Sequence, residues 1–335
     1  MTNADRSPSP DLLRLDGLHI TVHHGAAAAV RGVSLTVQPG EIVGLVGESG
    51  SGKTLTCRAA LGVLPAGCAI EQGTVSFGGQ DVTRLPRRGW ERLHGSEIGA
   101  VFQDPASYLN PSLTVGSQLA EVLRVKRGAS RRAARQRAIE LFGTVGLHRP
   151  EWVYQQIPAE LSGGMLQRVM IAIAICGDPR LLVADEATTA LDVTIQAEVI
   201  EMLLQLRERR ELAVLFVSHD LAVVGQLCDR IAVFYSGEIV ESGPAQEIVD
   251  RPRHPYTQAL LRVASVGEFG RRQLEVIAGQ PPQVGADISG CRFADRCPAV
   301  VPACRAAAPA PVAVGDQHEA RCLRAVELLP ELVAR

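Results

Sequence analysis

Glu41-Ile-Val-Gly-Leu-Val-Gly-Glu-Ser-Gly-Ser-Gly-Lys-Thr54 is the stretch whose reading decides the fold. Ile42 to Val46 is a short apolar run bounded by turn residues, which predicts a buried strand. The run stops at Gly47, and a helix-compatible segment begins at Thr54 and reaches about Leu64. Between them, Gly47, Glu48, Ser49, Gly50, Ser51, Gly52, Lys53 and Thr54 spell G-x-x-x-x-G-K-S/T. Small residues in such a loop let backbone N–H groups turn inward on a polyphosphate, and the next helix adds its unpaired N–H groups and positive dipole end. Lys53 can reach the outer phosphates, and the Thr54 hydroxyl can sit on Mg²⁺. Strand, loop and helix in that order point to a nucleoside triphosphate, against the plainer reading of a Gly/Ser turn.

Working outward, Leu13, Leu15, Leu18, Ile20 and Val22 alternate with polar residues and predict a half-exposed strand, as do Val30 to Val37. Gly73 to Gly79 reads as a strand ending in a turn, and Ile98 to Phe102 as a buried strand. From about residue 104 to 177 the pattern turns helical, with Ser130 placed to cap a helix whose Arg131, Arg132, Arg135 and Arg137 read as a solvated face. Strand-like Arg180 to Ala184, Leu212 to Val217 and Arg230 to Tyr235 then alternate with helices at 194–210 and 220–226. The fold class is α/β: a mixed sheet core covered by helices, a helical subdomain at about 104–177, and a small C-terminal extension. Residues 1–11 are polar and Pro-rich and read as a loose tail. Proline punctuation past Ser242 places a boundary near 250, giving a main domain at 12–250 and an extension at 251–335.

Several predicted strands end on polar side chains suited to phosphate chemistry. Leu181 to Ala184 delivers Asp185 and Glu186; the first suits Mg²⁺ and the second can orient or deprotonate an attacking water. Gln103 closes another strand, where an amide can touch both the metal and that water. His219, after Ser218, can hydrogen-bond a γ-phosphate. Ligands of open α/β sheets bind at such strand ends. Leu161-Ser-Gly-Gly-Met165 stands at a predicted helix N-terminus inside the helical segment.

Taken together, these motifs resemble those of ATP-binding-cassette (ABC) ATPases over about residues 12–245. The resemblance makes Leu161, Ser162, Gly163, Gly164 and Met165 the signature loop, Ala190, Leu191 and Asp192 the D-loop, Glu186 the catalytic carboxylate, and His219 the γ-phosphate switch. It implies a head-to-tail pair of cassettes in which Ser162 and Gly164 meet ATP held by the partner's loop. The aromatic residue that usually stacks on adenine is replaced by His24, with His23 the alternative. Phe102 to Pro111, Leu161 to Ala174 and His254-Pro-Tyr-Thr257 are similar to the dipeptide and oligopeptide importer subfamily. That likeness implies a sister ATPase subunit, two transmembrane permease subunits and an extracytoplasmic substrate-binding protein. The cargo stays open among peptides, nickel, an opine and glutathione, because nothing in this chain contacts it.

Bulk properties exclude other classes. A net charge of −2 gives no electrostatic case for nucleic acid, and the chain neither inserts a coiled coil nor fuses two cassettes, as DNA-repair and ribosomal relatives do. The longest apolar run, Val169 to Cys176, has eight residues, well short of the roughly eighteen a spanning helix needs. A peripheral place on the cytoplasmic face of the membrane is expected. Of the eight cysteines, Cys291, Cys297, Cys304 and Cys322 crowd the extension, within 291–322, where little else builds a core. A reduced cytosolic tail of this kind points to structural zinc or an iron–sulfur cluster, or to no metal at all. The lack of close C-x-x-C knuckles leans toward iron–sulfur, and the subfamily likeness implies a [4Fe-4S] centre.

Overall fold

The computed structural model describes residues 11–186, 193–265 and 277–327. The described chain opens with β1 (Leu13–Val22), β2 (Ala27–Val37), β3 (Ile42–Val46), α1 (Lys53–Ala60), β4 (Ala69–Phe77) and β5 (Gln80–Asp81). After α2 (Arg87–Leu93) and β6 (Ile98–Val101) comes a helical run: α3 (Pro105–Tyr108), α4 (Val115–Arg127), α5 (Arg131–Thr144), α6 (Pro150–Tyr154) and α7 (Gly163–Ile175). Strands and helices then alternate through β7 (Leu181–Asp185), α8 (Val193–Arg210), β8 (Ala213–Val217), α9 (Leu221–Leu227), β9 (Arg230–Tyr235) and β10 (Glu238–Pro244). The main domain closes with α10 (Ala245–Asp250), and the extension contributes α11 (Pro255–Ser265), α12 (Pro302–Ala306), β11 (Val312–Gly315) and β12 (His318–Ala320).

The chain divides into two compact units. One, the P-loop unit, takes its described residues from 13–36, 42–83 and 216–327. In it β1 buries Leu13, Leu15, Leu18 and Ile20 and runs antiparallel to β4, with Leu13 opposite Phe77 and Leu15 opposite Val75. The alternation read from the sequence is thus the pleat of a sheet with one wet face. β3 is buried along its whole length and pairs in parallel with β9, Val46 opposite Val233. β9 turns back at Ser236 and Gly237 into antiparallel β10, whose outer edge is taken by β12, which in turn pairs with β11. Without that ribbon, β10 would present unpaired N–H and C=O groups.

The extension has a core of its own, which its composition did not promise. Tyr256 and Phe293 are fully buried, with ring centroids 4.7 and 5.2 Å from that of Tyr235 at the end of β9. Each large ring removed from water contributes about 2–3 kcal/mol. Beside them Glu241 of β10 is buried; its carboxylate accepts the backbone N–H of Arg253 (2.6 Å) and of His254 (2.9 Å) and lies 2.8 Å from His318 Nε2 of β12.

The helical unit takes its described residues from 11–12, 37–41, 84–186 and 193–215. β6 and β7 are parallel, with Val101 opposite Ala184, and β7 also neighbours β8. The predicted cap forms at α5, where Ser130 Oγ accepts from Ala133 N–H (3.3 Å), and α4 is capped likewise by Thr114, whose Oγ1 accepts from Ser117 N–H (3.2 Å). Leu119 and Leu123 of α4, Leu141 and Phe142 of α5, and Val169 and Ile171 of α7 are buried, whereas Arg131, Arg132 and Arg135 stay exposed. Among the described residues no helix is long and apolar enough to cross a membrane.

Candidate nucleotide-binding site

The P-loop unit carries the phosphate-seeking loop. β3 ends at Val46, and Gly47 turns the chain with φ of 147°, where a Cβ would stand 2.2 Å from the Phe234 carbonyl oxygen. The next turns use Gly50 and Gly52, both at positive φ. Lys53 is buried, and its Nζ donates to the carbonyls of Gly47 (2.7 Å) and Glu48 (2.9 Å) and to Ser51 Oγ (3.3 Å). The loop is therefore wrapped around its own lysine, the arrangement that brings an ammonium and a row of backbone N–H groups to one anion. No side chain caps α1 at Gly52, and the positive dipole end of the helix faces the loop.

His219 belongs to the same unit. Ser218 N–H donates to the Leu45 carbonyl (3.1 Å), so β8 ends beside β3, and exposed His219 leaves the sheet at the end where Gly47 does. His24 lies in the exposed turn between β1 and β2, its N–H bonded to the Gly67 carbonyl (2.9 Å). The helical unit holds the other predicted residues. Gln103, two residues past β6, and buried Asp185, last of β7, leave adjacent parallel strands at one sheet edge. Glu186 follows with a left-handed backbone (φ 52°), a conformation that costs a non-glycine residue about 1–2 kcal/mol. Ser162 caps α7 by accepting from Met165 N–H (3.4 Å); Ser162 and Gly163 are exposed, while Leu161 and Gly164 are buried. Ala190, Leu191 and Asp192 lie outside the described residues.

Among the described residues of the extension, Tyr256 and Arg296 hydrogen-bond the loop, and sequence reasoning missed their role. Tyr256 Oη accepts the backbone N–H of Glu48 (2.8 Å). Arg296 grips the Glu48 carboxylate with two parallel bonds, Nη1 to Oε2 at 2.7 Å and Nη2 to Oε1 at 2.9 Å. Burial pushes the Tyr256 hydroxyl well above its ordinary range and so keeps it neutral. Tyr256 does sit inside the quoted His-Pro-Tyr-Thr motif, whereas nothing marks Arg296 beyond its place before Cys297.

The four clustered cysteines are free thiols that line one small pocket, together with His254 and Phe293. Burial raises Cys291 to about 11, and it also raises Cys297 and Cys322, so these thiols are protonated. Among the described residues no group of three or more His, Cys, Asp or Glu stands in an arrangement that would hold a metal ion. The thiols are gathered, but not posed as a ligand set.

Residues 30–189 match the model of the ABC transporter family, and residues 240–304 match that of the oligopeptide/dipeptide transporter C-terminal region. The chain is 42% identical over 315 residues to the dipeptide transport ATP-binding protein DppD of Escherichia coli (strain K12), covering 93% of this chain and 96% of that one. This chain belongs to the ABC transporter ATP-binding proteins of the dipeptide/oligopeptide type. As an ABC ATPase it couples ATP hydrolysis to transport. DppD of Bacillus subtilis (strain 168) is 38% identical, covering 93% of this chain and 94% of the other. Among solved structures, the ABC cassette MJ0796 in a dimeric post-hydrolysis state with ADP and phosphate is similar, with a TM-score of 0.63 and 28% identity. That match covers 70% of this chain and 98% of the cassette, consistent with an ABC ATPase fold carrying an added C-terminal region.

Proposed function

We propose that this chain is the ATP-hydrolysing subunit of a peptide importer, bound peripherally to the cytoplasmic face of the membrane through transmembrane permease partners. The observation that carries the reading is its 42% identity to a dipeptide transport ATP-binding protein across nearly the whole of both chains, extension included. In this reading residues 12–250 are the ATPase domain, which works as a pair with a second, sister cassette, and an extracytoplasmic binding protein delivers dipeptides or oligopeptides.

The loop from Gly47 to Thr54 holds the phosphates, Lys53 neutralises charge on the β- and γ-groups, and His24 stacks on adenine. Thr54, Asp185 and Gln103 offer the hard oxygen donors that suit Mg²⁺, which when bound offsets charge on the triphosphate. Glu186 orients and deprotonates the attacking water; the bond from the γ-phosphorus to its bridging oxygen breaks, giving ADP and phosphate. His219 donates to the γ-phosphate as charge develops there. Ser162 and Gly164 of the Leu161 to Met165 signature loop meet the γ-phosphate held by the partner cassette, and Ala190 to Asp192 serve as the D-loop. Closing on ATP and reopening after hydrolysis drives alternating access in the permease.

Cys291, Cys297, Cys304 and Cys322 form a set of four soft donors around one pocket, a composition that fits an iron–sulfur cluster or zinc. Of the two we favour a [4Fe-4S] cluster, which when bound would staple the extension through deprotonated thiolates.

The test of the main reading is Glu186→Gln in the assembled transporter, reconstituted with labelled di- and oligopeptides. The variant binds ATP and closes, but loses turnover and uptake. Normal steady-state hydrolysis by it would overturn the assignment.

A further inference from the structure

We infer that the C-terminal extension sets the shape and charge of the phosphate loop, with Arg296 and Tyr256 acting as positioning residues for nucleotide binding. The inference rests on the ATP-site reading above and extends it to residues that lie outside every motif of that site.

Glu48 is the first variable residue of the loop, directly after Gly47, and its carboxylate is an anion placed in a structure that must attract a polyanion. Left alone it would repel a triphosphate. Arg296 cancels that charge with a forked pair, the geometry in which a guanidinium binds a carboxylate most strongly. The guanidinium is itself immobilised. Its Nε donates to the Ala278 carbonyl (2.9 Å), Nη2 also to that of Ile277 (3.1 Å), and Nη1 also to Tyr235 Oη (3.3 Å), so all five of its N–H groups are engaged. It lies over the rings of Tyr235 and Phe293, 5.7 and 5.9 Å from their centroids, and its side chain is only 4% exposed. A cation so enclosed must keep its anion, because a buried unpaired charge is strongly unfavourable.

Tyr256 acts on the backbone of the same residue. By accepting the Glu48 N–H it fixes the peptide that follows Gly47, where the chain departs from β3. The hydroxyl reaches it from a fully buried ring wedged against Tyr235 and Phe293, so the acceptor cannot drift. The loop is therefore held from within by Lys53 and from outside by the extension. A loop pre-shaped for phosphate does not have to be ordered when nucleotide arrives, and that saved cost appears as affinity.

The experiment measures binding of ATP and Mg²⁺ to the full-length chain in a Glu186→Gln background, and steady-state hydrolysis in the otherwise native complex. Arg296→Ala raises Kd and KM for ATP by about tenfold, the scale of one charge-assisted pair, while kcat at saturating ATP changes less than about threefold. Adding Glu48→Gln to Arg296→Ala recovers most of the affinity, because the uncompensated charge is then gone. An arginine that merely anchors the extension would give no such rescue. Tyr256→Phe, which deletes one acceptor from an intact ring, raises Kd about threefold with little change in melting temperature, and it carries the test if Arg296→Ala fails to fold. Loss of binding in Lys53→Ala checks the nucleotide reading by itself. Tight binding by the native chain, lost in Lys53→Ala but unchanged in Arg296→Ala and Tyr256→Phe, overturns the inference and leaves that reading standing. An affinity loss that Glu48→Gln does not repair also overturns the electrostatic role.

Discussion

At Gly44, in the middle of β3, helix α9 packs tightly on the strand that feeds the phosphate loop, and Gly44→Ala measures how tight that seam is. A Cβ there would stand 2.1 Å from Val224 Cγ1 and 2.9 Å from Cys228 Sγ. Carbon pairs prefer about 3.5–4.0 Å, so the overlap with Val224 is about 1.5 Å. Val224 and the strand residues around Gly44 are fully buried, and a β-branched residue in a helix has one strongly preferred rotamer, so the methyl has nowhere cheap to go. Relief comes from an off-rotamer Val224 or from α9 lifting off the sheet, and overpacking of this kind costs about 1–3 kcal/mol. At roughly 2–4 °C per kcal/mol for a unit of this size, the melting temperature should fall by several degrees in calorimetry. Val224→Ala removes the atom in the way. The pair Gly44→Ala with Val224→Ala should therefore be less destabilised than the sum of the single changes by about 1 kcal/mol or more. Because β3 runs straight into Gly47 and α9 begins just after His219, ATP affinity should fall with Gly44→Ala and recover in the pair. Additive single effects, or a Gly44→Ala protein that melts like the native chain, would refute the close-packing argument.

Two further outcomes follow from the extension. Glu241→Ala strips the acceptor from His318 Nε2 and from the N–H groups of Arg253 and His254, so the β12 ribbon should loosen at a cost of about 1–3 kcal/mol for each buried group left unsatisfied; limited proteolysis should then cut near residue 320 well before it cuts the native chain. The full-length chain isolated without oxygen should carry iron and acid-labile sulfide in equal amounts with a visible absorption band, both lost in Cys297→Ser, whereas zinc instead would keep the four-cysteine site and reject the cluster, and no metal would reject both.

How far the fold can be read from the sequence depends on where each signal comes from. β3, β6, β7 and β8 were legible because strands buried on both faces must be continuous apolar runs, and Ile42 to Val46 or Ala213 to Val217 can hardly be anything else. Ser130 and Ser162 were legible as caps because their hydroxyls serve N–H groups three residues on. Boundaries resting on pairing were less so. β4 begins at Ala69 rather than Gly73, because Ile70 and Ala69 pair with Ile20 and Thr21 across the sheet although Glu71 and Gln72 are exposed. α1 stops at Ala60 rather than near Leu64, since Gly62 takes a left-handed turn. Arg296 and Glu48 are 248 residues apart, and His318 and Glu241 are 77 apart; no local pattern encodes either pair. The side chains that deliver the chemistry were visible from motif spacing, while those that hold the loop in shape were not, because their only signature is a tertiary contact.

The contact between extension and loop has a consequence that runs in both directions. Equilibrium coupling is reciprocal: if Arg296 and Tyr256 improve ATP affinity by some factor, bound ATP must stabilise the docked extension by the same factor. The route is short. Glu48 is held by Arg296, Arg296 precedes Cys297, and Cys297 lines the pocket shared by the other three thiols. A change in that pocket, whether metal uptake or oxidation, therefore reaches the phosphate loop through a single guanidinium with no free donor left to absorb the movement. A fully satisfied, enclosed arginine transmits displacement because it cannot re-pair without losing a bond, whereas a solvated lysine at the same place would have relaxed into water. That difference is why Arg296→Lys, though it keeps the charge, is expected to weaken the link between the cysteine pocket and nucleotide affinity.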